Sequence, residues 1–158
     1  GLATSAKAQW PLMGYEVYTP MYFSKNPDIL NSVASVKNPF TLDSPFGKSY
    51  MLLKELADSG IFEEDPLSAD WEPFKKDFRD GKIAMAFLDA TVAPQLVSDK
   101  VPATDIGIAP FPFDNDKNNR YIVYKPETAL GISKTSKAPE AAKAFFYFMM
   151  DDKYVDYE

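Results

Sequence analysis

The sequence predicts an α/β fold in which a mixed sheet is flanked by helices. Short apolar runs that suit strands alternate along the chain with amphipathic segments that suit helices, which is the pattern of layered α/β domains. Two late strand candidates, residues 121–125 and 128–133, are close enough in sequence to pair antiparallel, and they make the sheet mixed. The length of 158 residues and the 46% of hydrophobic residues suit one domain with its own core.

The first elements are a short strand and an aromatic helix. Residues 1–9 mix small polar and apolar side chains, and we expect a strand there. The chain breaks at Trp10, which is followed by a proline. The next helix, over residues 12–23, presents tyrosines three and four residues apart on one face: Tyr15, Tyr18 and Tyr22. Pro20 interrupts or kinks this helix.

The middle of the chain contains the clearest helices. The first has Ser44 as its N-cap, Pro45 as its first residue and Gly60 at its end. The second spans residues 68–80, ends at a glycine, and has aromatic residues recurring at three and four: Trp71, Phe74 and Phe78. The mostly apolar run over residues 82–88 then indicates a strand buried on both faces.

The last third of the chain adds further elements of both kinds. We expect a short helix over residues 92–98 and a strand over residues 105–113 that ends at prolines. A helix over residues 136–152 completes the chain, and its apolar side chains are expected to pack inward: Ala142, Phe145, Phe146 and Met149.

The composition excludes several classes of function. The net charge of −6 argues against binding of nucleic acid and against electrostatic docking on anionic lipid. The chain has no His and no Cys, which rules out Ser-His-Asp and Cys-His nucleophiles, zinc held by His or Cys, and c-type haem. We therefore expect no cofactor and no metal.

Carboxylates are the remaining candidates for chemistry. Asp89 follows the predicted strand over residues 82–88, at the edge where α/β sheets bind ligands, and it equally suits the N-cap of a following helix. The acidic run over residues 63–65 suits a solvated surface. Asp114 and Asp116 hint at a calcium loop, but the glycine and the glutamate that such a loop requires are absent.

Aromatic residues give a stronger indication of a site. They make up 15% of the chain, an excess that suits either a core or a surface that stacks on flat ligand faces. Trp10 stands at a strand-to-helix corner, and Tyr15 and Tyr18 follow on one helix. Aromatic rings pack on the apolar faces of sugars while carboxylates take the hydroxyls, so these residues form a candidate sugar site.

Four stretches of the chain form a set in their order and spacing. They are "SPFGKSYMLLKELADSGIF" (44–62), "FKKDFRDGKIAMAFLDATVAPQL" (74–96), "DIGIAPFPFD" (105–114) and "TALGISKTSKAPEAAKAFFYFMMDD" (128–152). Together they resemble the extracellular solute-binding proteins of carbohydrate ABC importers, the maltose-binding-protein-like group. The resemblance covers nearly the whole chain.

The resemblance implies a periplasmic-binding-protein-like lobe. Members run to about twice this length or more, so the chain is expected to be an internal fragment that lacks the N-terminal lobe. Residues 1–110 would then hold part of the second, C-terminal lobe. Residues 111–158 would form a return segment that crosses towards the first lobe.

The resemblance also implies a ligand site. The segment after the strand points into the cleft between the lobes in this family, which places Asp89 and Thr91 at the ligand. Members often have Gly at the first of these positions and a stacking Trp at the second. This chain has neither, so we expect Trp10 and Tyr15 to supply the stacking, with Tyr18 on the same helix.

The implied function is capture of a sugar or oligosaccharide without catalysis. The partners would be the membrane permease subunits of an ABC importer, and the location would be extracellular or at the cell surface, with a lipid anchor, or periplasmic in a Gram-negative cell. Two alternatives stay open: a glycan hydrolase with Asp89 as acid or base, and a non-catalytic interaction domain with an aromatic surface.

Overall fold

A computed structural model describes residues 1–124 and 129–151. The chain divides into two compact units, Gly1–Val123 and Tyr124–Glu158. Within the described residues, the first unit contains the sheet and most helices, and the second contains one helix. No helix in these described ranges is both long and apolar enough to cross a membrane.

Two short parallel strands form the sheet of the first unit. β1 (Leu2–Ala3) pairs with β2 (Met85–Ala86), with Leu2 opposite Met85. Across the described residues this pair is the whole sheet, so the expectation of a mixed sheet is wrong there. Met85 is 51% exposed, so the run over residues 82–88 is not buried on both faces. That run stays short as a strand because only two of its residues find a partner strand.

The later strand predictions are also wrong where the structure describes them. Residues 106–113 are irregular, since Pro110 and Pro112 lack backbone donors and the rings of Phe111 and Phe113 pack in the aromatic cluster. Residues 121–124 and 129–133 form no strand either, and residues 125–128 lie outside the described part of the chain.

Helices supply most of the regular structure. The α-helices are α1 (Thr19–Ser24), α2 (Ile29–Ser32), α3 (Pro45–Asp58), α4 (Trp71–Arg79), α5 (Ala93–Leu96) and α6 (Pro139–Met149). Short 3-10 turns cover Ala6–Ala8, Trp10–Leu12, Val33–Ser35, Ala90–Val92 and Ala103–Asp105. The helices predicted after residue 44, over 68–80 and over 136–152 are confirmed, and the one over 92–98 is shorter than expected.

Local signals set the ends of α3 and α4. The Ser44 hydroxyl accepts the Gly47 N–H at 3.0 Å, which caps α3 as predicted. Asp70 caps α4 through the Trp71 N–H at 2.8 Å. The glycines that follow the two helices have positive φ, 68° at Gly60 and 74° at Gly81, a conformation that costs glycine little.

The aromatic helix begins with a wide turn. A π-helix over Gly14–Tyr18 runs into α1, and its closing bond joins the Thr19 N–H to the Gly14 carbonyl. Pro20 lies in the first turn of α1, where its missing donor is tolerated. The predicted interruption is therefore a π-turn before Pro20. The carbonyl of Tyr15 is free to accept the buried Ser49 hydroxyl of α3.

Most of the aromatic excess of the first unit is packed in its interior. One cluster joins the π-helix and α1 to the residue after β2 and to the segment over residues 111–113. Its rings have neighbouring centroids 4.1–5.2 Å apart: Tyr15, Tyr22, Phe87, Phe111 and Phe113. A second cluster lies under the sheet and the later helices: Ala3, Phe74, Val92 and Leu96. These two clusters hold β1, β2, α4 and α5 around one core.

The single helix of the second unit departs from its predicted packing. In α6, Ala142 and Phe146 are half-buried, whereas Phe145 is 65% exposed and Met149 is 46% exposed. The prediction that all four pack inward is wrong for Phe145 and Met149. Phe145 instead stacks on Phe148 along the same helix, with ring centroids 6.4 Å apart.

We predict that Gly47→Ala destabilises the protein. A Cβ at Gly47 would lie 2.7 Å from the Leu42 Cα and closer still to the Thr41 carbonyl, and these backbone atoms cannot move aside easily. The expected cost is about 1–3 kcal/mol in the free energy of unfolding, measured with urea. Gly107→Ala is the matched control, since a Cβ there meets nothing within 4 Å. Equal stability of the two variants would contradict the packing described for α3.

Candidate functional site

A small pocket forms where the two parallel strands end. One wall comes from the chain after β1 and the other from the chain directly after β2, so the pocket lies at the carboxyl edge of the sheet. The residues around it are Trp10, Pro11, Met13, Gly14, Tyr18, Leu88 and Asp89. Its volume is about 20 Å³, which is room for one water molecule. Three of the five residues predicted for the ligand site line it.

Trp10 forms the exposed rim of this pocket. Its side chain is 40% exposed, and its ring meets the ring of Trp71 edge-on with centroids 4.7 Å apart. Trp71 starts α4, so the indole of Trp10 is held against a helix while part of it stays exposed. A half-exposed indole beside a pocket offers an apolar face and an N–H donor to a ligand.

Asp89 supplies the charge of the pocket. The Tyr18 hydroxyl donates to its Oδ2 at 3.0 Å, and its Oδ1 accepts the Thr91 N–H at 3.0 Å. The second bond makes Asp89 the N-cap of the turn Ala90–Val92. The predicted N-cap role of Asp89 is confirmed, and the same carboxylate lines the pocket.

The other two predicted residues lie away from the pocket surface. Tyr15 is only 2% exposed, and its ring packs edge-on against Phe87 and Phe111 in the aromatic core. Burial and the charge of Glu63 raise the pKa of Tyr15 well above its ordinary value. Thr91 is exposed on its turn and contacts Asp89 through its backbone N–H.

Glu63 anchors the chain that leads from β1 to the pocket, and the sequence did not indicate this role. We expected it on a solvated acidic surface, but it is half-buried and binds the chain where β1 ends. Its carboxylate accepts the Thr4 N–H at 3.0 Å, the Ser5 N–H at 3.1 Å and the Thr4 hydroxyl. The available signal was the polar pair at positions 4 and 5, whose donors are buried directly after an apolar strand.

The suspected calcium loop is occupied by the protein's own donors. Asp114 accepts the hydroxyl of Tyr22 and the side-chain amide of Asn119, and it pairs with Arg120 at 3.4 Å. Lys25 closes the cluster, with its Nζ 4.0 Å from the Tyr22 ring centroid and 2.9 Å from the side-chain Oδ1 of Asn119. Among the described residues, no group of acidic side chains is placed to hold a metal ion.

These bonds shift the titration of both partners. The hydrogen bond from Tyr22, supported by those from Asn119, the Asp116 N–H and Arg120, lowers the pKa of Asp114 to about 2, although burial alone would raise it. Burial first, and then the Asp114 hydrogen bond and charge, raise the pKa of Tyr22 to about 12. The segment that carries Phe111 and Phe113 is thereby tied to α1.

A larger depression lies elsewhere on the first unit. It measures about 460 Å³ and is open, and charged residues and one serine line it: Lys76, Arg79, Asp80, Ser98, Asp99 and Lys100. Asp80 pairs with both Lys76 and Lys100, and Arg79 donates to two backbone carbonyls. None of the predicted ligand residues lines this depression.

Comparison with known proteins gives one match. A family model described as bacterial extracellular solute-binding protein matches residues 8–156. Neither the curated proteins nor the solved structures that were searched contain a match to the chain. The matched range includes every residue of the pocket.

We predict that Glu63→Ala lowers the free energy of unfolding by about 2–3 kcal/mol. The substitution leaves two buried backbone N–H groups without their acceptor. Urea unfolding followed by circular dichroism gives the difference. Glu64→Ala is the matched control, because Glu64 is exposed and adjacent, and it should change stability little. A Glu63→Ala variant as stable as the control would show that the carboxylate contributes nothing to the fold.

The Asp114 cluster predicts a specific acid sensitivity. Folding lowers the pKa of Asp114 from 3.8 to about 2, so its stabilising contribution is present above pH 3.8 and is lost as the pH falls towards 2. Melting temperatures of the parent and Asp114→Asn should therefore differ most above pH 3.8 and converge towards pH 2. Asp116→Asn, in the same loop, should follow the parent. A constant gap across this range would contradict the assignment.

Proposed function

Because the chain belongs to the bacterial extracellular solute-binding proteins, we propose that it captures a small-molecule solute for transport at the Trp10, Tyr18 and Asp89 pocket, without catalysing a reaction. The observation that supports this site is the meeting of a half-exposed indole and an anchored carboxylate at the carboxyl edge of the two strands. That edge is where open α/β sheets bind ligands.

The ligand class that we propose is a sugar or an oligosaccharide. The exposed face of Trp10 suits the apolar face of a sugar ring, and Asp89 accepts hydroxyl hydrogens while Tyr18 holds it in place. The pocket is far below the roughly 300–1,000 Å³ of a pocket for drug-sized ligands. The sugar would therefore lie on the open face of Trp10 and reach Asp89 with one group.

The proposal extends to the cellular setting. Proteins of this family are extracellular, and a solute captured outside the cell is delivered to membrane permease subunits of an ABC importer. We propose these partners and a cell-surface or periplasmic location, with a lipid anchor in the complete protein. The first, N-terminal lobe that the resemblance implies would cover the exposed side of Trp10.

A hydrolase is less well supported than a binding protein. Glycoside hydrolysis generally uses two carboxyl groups on either side of the scissile bond. Asp89 is the one carboxylate among the described residues that line the pocket. A protonated amine is the second ligand candidate, since aromatic rings and a single negative charge suit a cation.

A thermal-shift screen of the protein against neutral mono- and oligosaccharides and against small amines tests the proposal. A ligand at about a hundred times its dissociation constant stabilises the folded state by roughly 2.7 kcal/mol. A shift with one sugar class, with no product after prolonged incubation, supports sugar capture. A shift with amines alone selects the second candidate, and product formation would overturn a purely binding role.

We predict that Trp10→Ala weakens binding of the sugar found in the screen by about thirtyfold, the effect of losing a contact worth about 2 kcal/mol. Isothermal titration calorimetry measures the dissociation constant. Tyr50→Ala is the matched control, because Tyr50 is a similarly exposed aromatic residue on α3 and does not line the pocket. Equal losses in both variants, or no loss in Trp10→Ala, would place the ligand elsewhere.

A further inference from the structure

The backbone directly before Trp10 has an unusual conformation. Gln9 has φ 64° and ψ −52°, the positive-φ γ-turn region, which is rare and strained for residues other than glycine. Such a conformation persists only where the surrounding structure imposes it, and it is concentrated at functional sites. Gln9 is exposed, and its backbone is hydrogen-bonded on both sides, so the cause lies in the path of the backbone.

Several bonds on both sides of Gln9 impose that path. The Gln9 N–H donates to the Ala6 carbonyl at 3.0 Å, and the Gln9 carbonyl accepts the Leu12 N–H at 3.0 Å. Earlier in the loop, the Lys7 N–H donates to the Ala69 carbonyl at 3.1 Å, and the Lys7 Nζ pairs with Asp70 at 2.9 Å. The loop is thus attached to the start of α4, and the turn at Gln9 redirects the chain from there to the pocket.

We propose that Gln9 is a positioning residue for the ligand site, through its backbone and not its side chain. Its positive φ directs Trp10 so that the indole contacts the ring of Trp71 and lines the same pocket as Leu88 and Asp89. Relaxation to negative φ would carry the indole away from Asp89. The value of this positioning for binding rests on the proposed function, whereas the positioning itself does not.

The two tryptophans make the proposal measurable without a ligand. The chain contains two Trp residues, Trp10 and Trp71. In a Trp71→Phe background, which keeps an aromatic ring beside the indole, all tryptophan fluorescence comes from Trp10. Quenching by acrylamide then reports how well Trp10 is shielded by its neighbours.

The variants are ranked by how well each residue tolerates positive φ. Gly adopts positive φ at little cost and Asn adopts it more often than most residues, whereas a β-branched Val does not. In the Trp71→Phe background, Gln9→Gly and Gln9→Asn should have the same acrylamide quenching constant as the variant in which Gln9 is unchanged. Gln9→Val should raise the quenching constant towards that of free tryptophan. Ala8→Val is the matched control, because Ala8 lies in the same loop without positive φ, and its quenching should not change.

Ligand affinity should follow the same order. With the sugar found in the screen, Gln9→Val should weaken binding by roughly two- to tenfold, the factor expected when one large side chain must be immobilised again on binding. Gln9→Gly and Gln9→Asn should bind as the parent does. If the quenching constants follow the expected order but the sugar binds equally well to all variants, Gln9 positions Trp10 without contributing to binding.

Three outcomes would overturn the inference. Gln9→Val could shield Trp10 as well as the parent, Gln9→Gly could expose it as much as Gln9→Val, or Ala8→Val could expose it equally. If Gln9→Val does not fold, Gln9→Gly and Gln9→Asn decide, since retained shielding and an undiminished melting temperature support the inference and lost shielding contradicts it. Absence of any bound sugar would count against the proposed function alone, because the quenching experiment needs none.

Discussion

The arrangement of the first unit depends on the carboxylate of Glu63, which holds the backbone at the end of β1. It accepts the donors of Thr4 and Ser5 where β1 ends, so the chain leaves the sheet in one direction. That direction leads through the attached loop to Trp10 and the π-helix, while β2 leads directly to Asp89. Removal of this anion would release one wall of the pocket and leave the other in place.

The aromatic residues serve two purposes, packing of the core and lining of the pocket, and different residues serve each. Tyr15 and Tyr22 face the core, where rings from four parts of the first unit pack together. Trp10 and Tyr18 meet the pocket, one through an exposed indole and the other through a hydroxyl bound to Asp89. The π-turn between Gly14 and Tyr18 makes this division possible, because the wider turn rotates successive side chains differently from an α-helix.

The sequence predicted what depends on neighbouring residues and failed where distant partners decide. Caps and stops such as Ser44 and Gly60 act within one turn, and α3 ends where they indicate. The strand after Gly81 shortened because pairing depends on a partner more than eighty residues away in sequence, at Leu2. Glu63 was assigned to the surface because its partners, Thr4 and Ser5, are also distant in sequence. Trp10, Tyr18 and Asp89 line one pocket, whereas the spacing of Tyr15 could not distinguish a ligand face from a core face.

Solute binding at the carboxyl edge of the two strands can be tested directly by NMR, with backbone and indole N–H chemical shifts followed while the sugar from the screen is titrated. We expect the largest changes at the indole N–H of Trp10 and at the amides of Leu88 and Asp89. Changes concentrated around Lys76 and Lys100, at the charged depression, would contradict it.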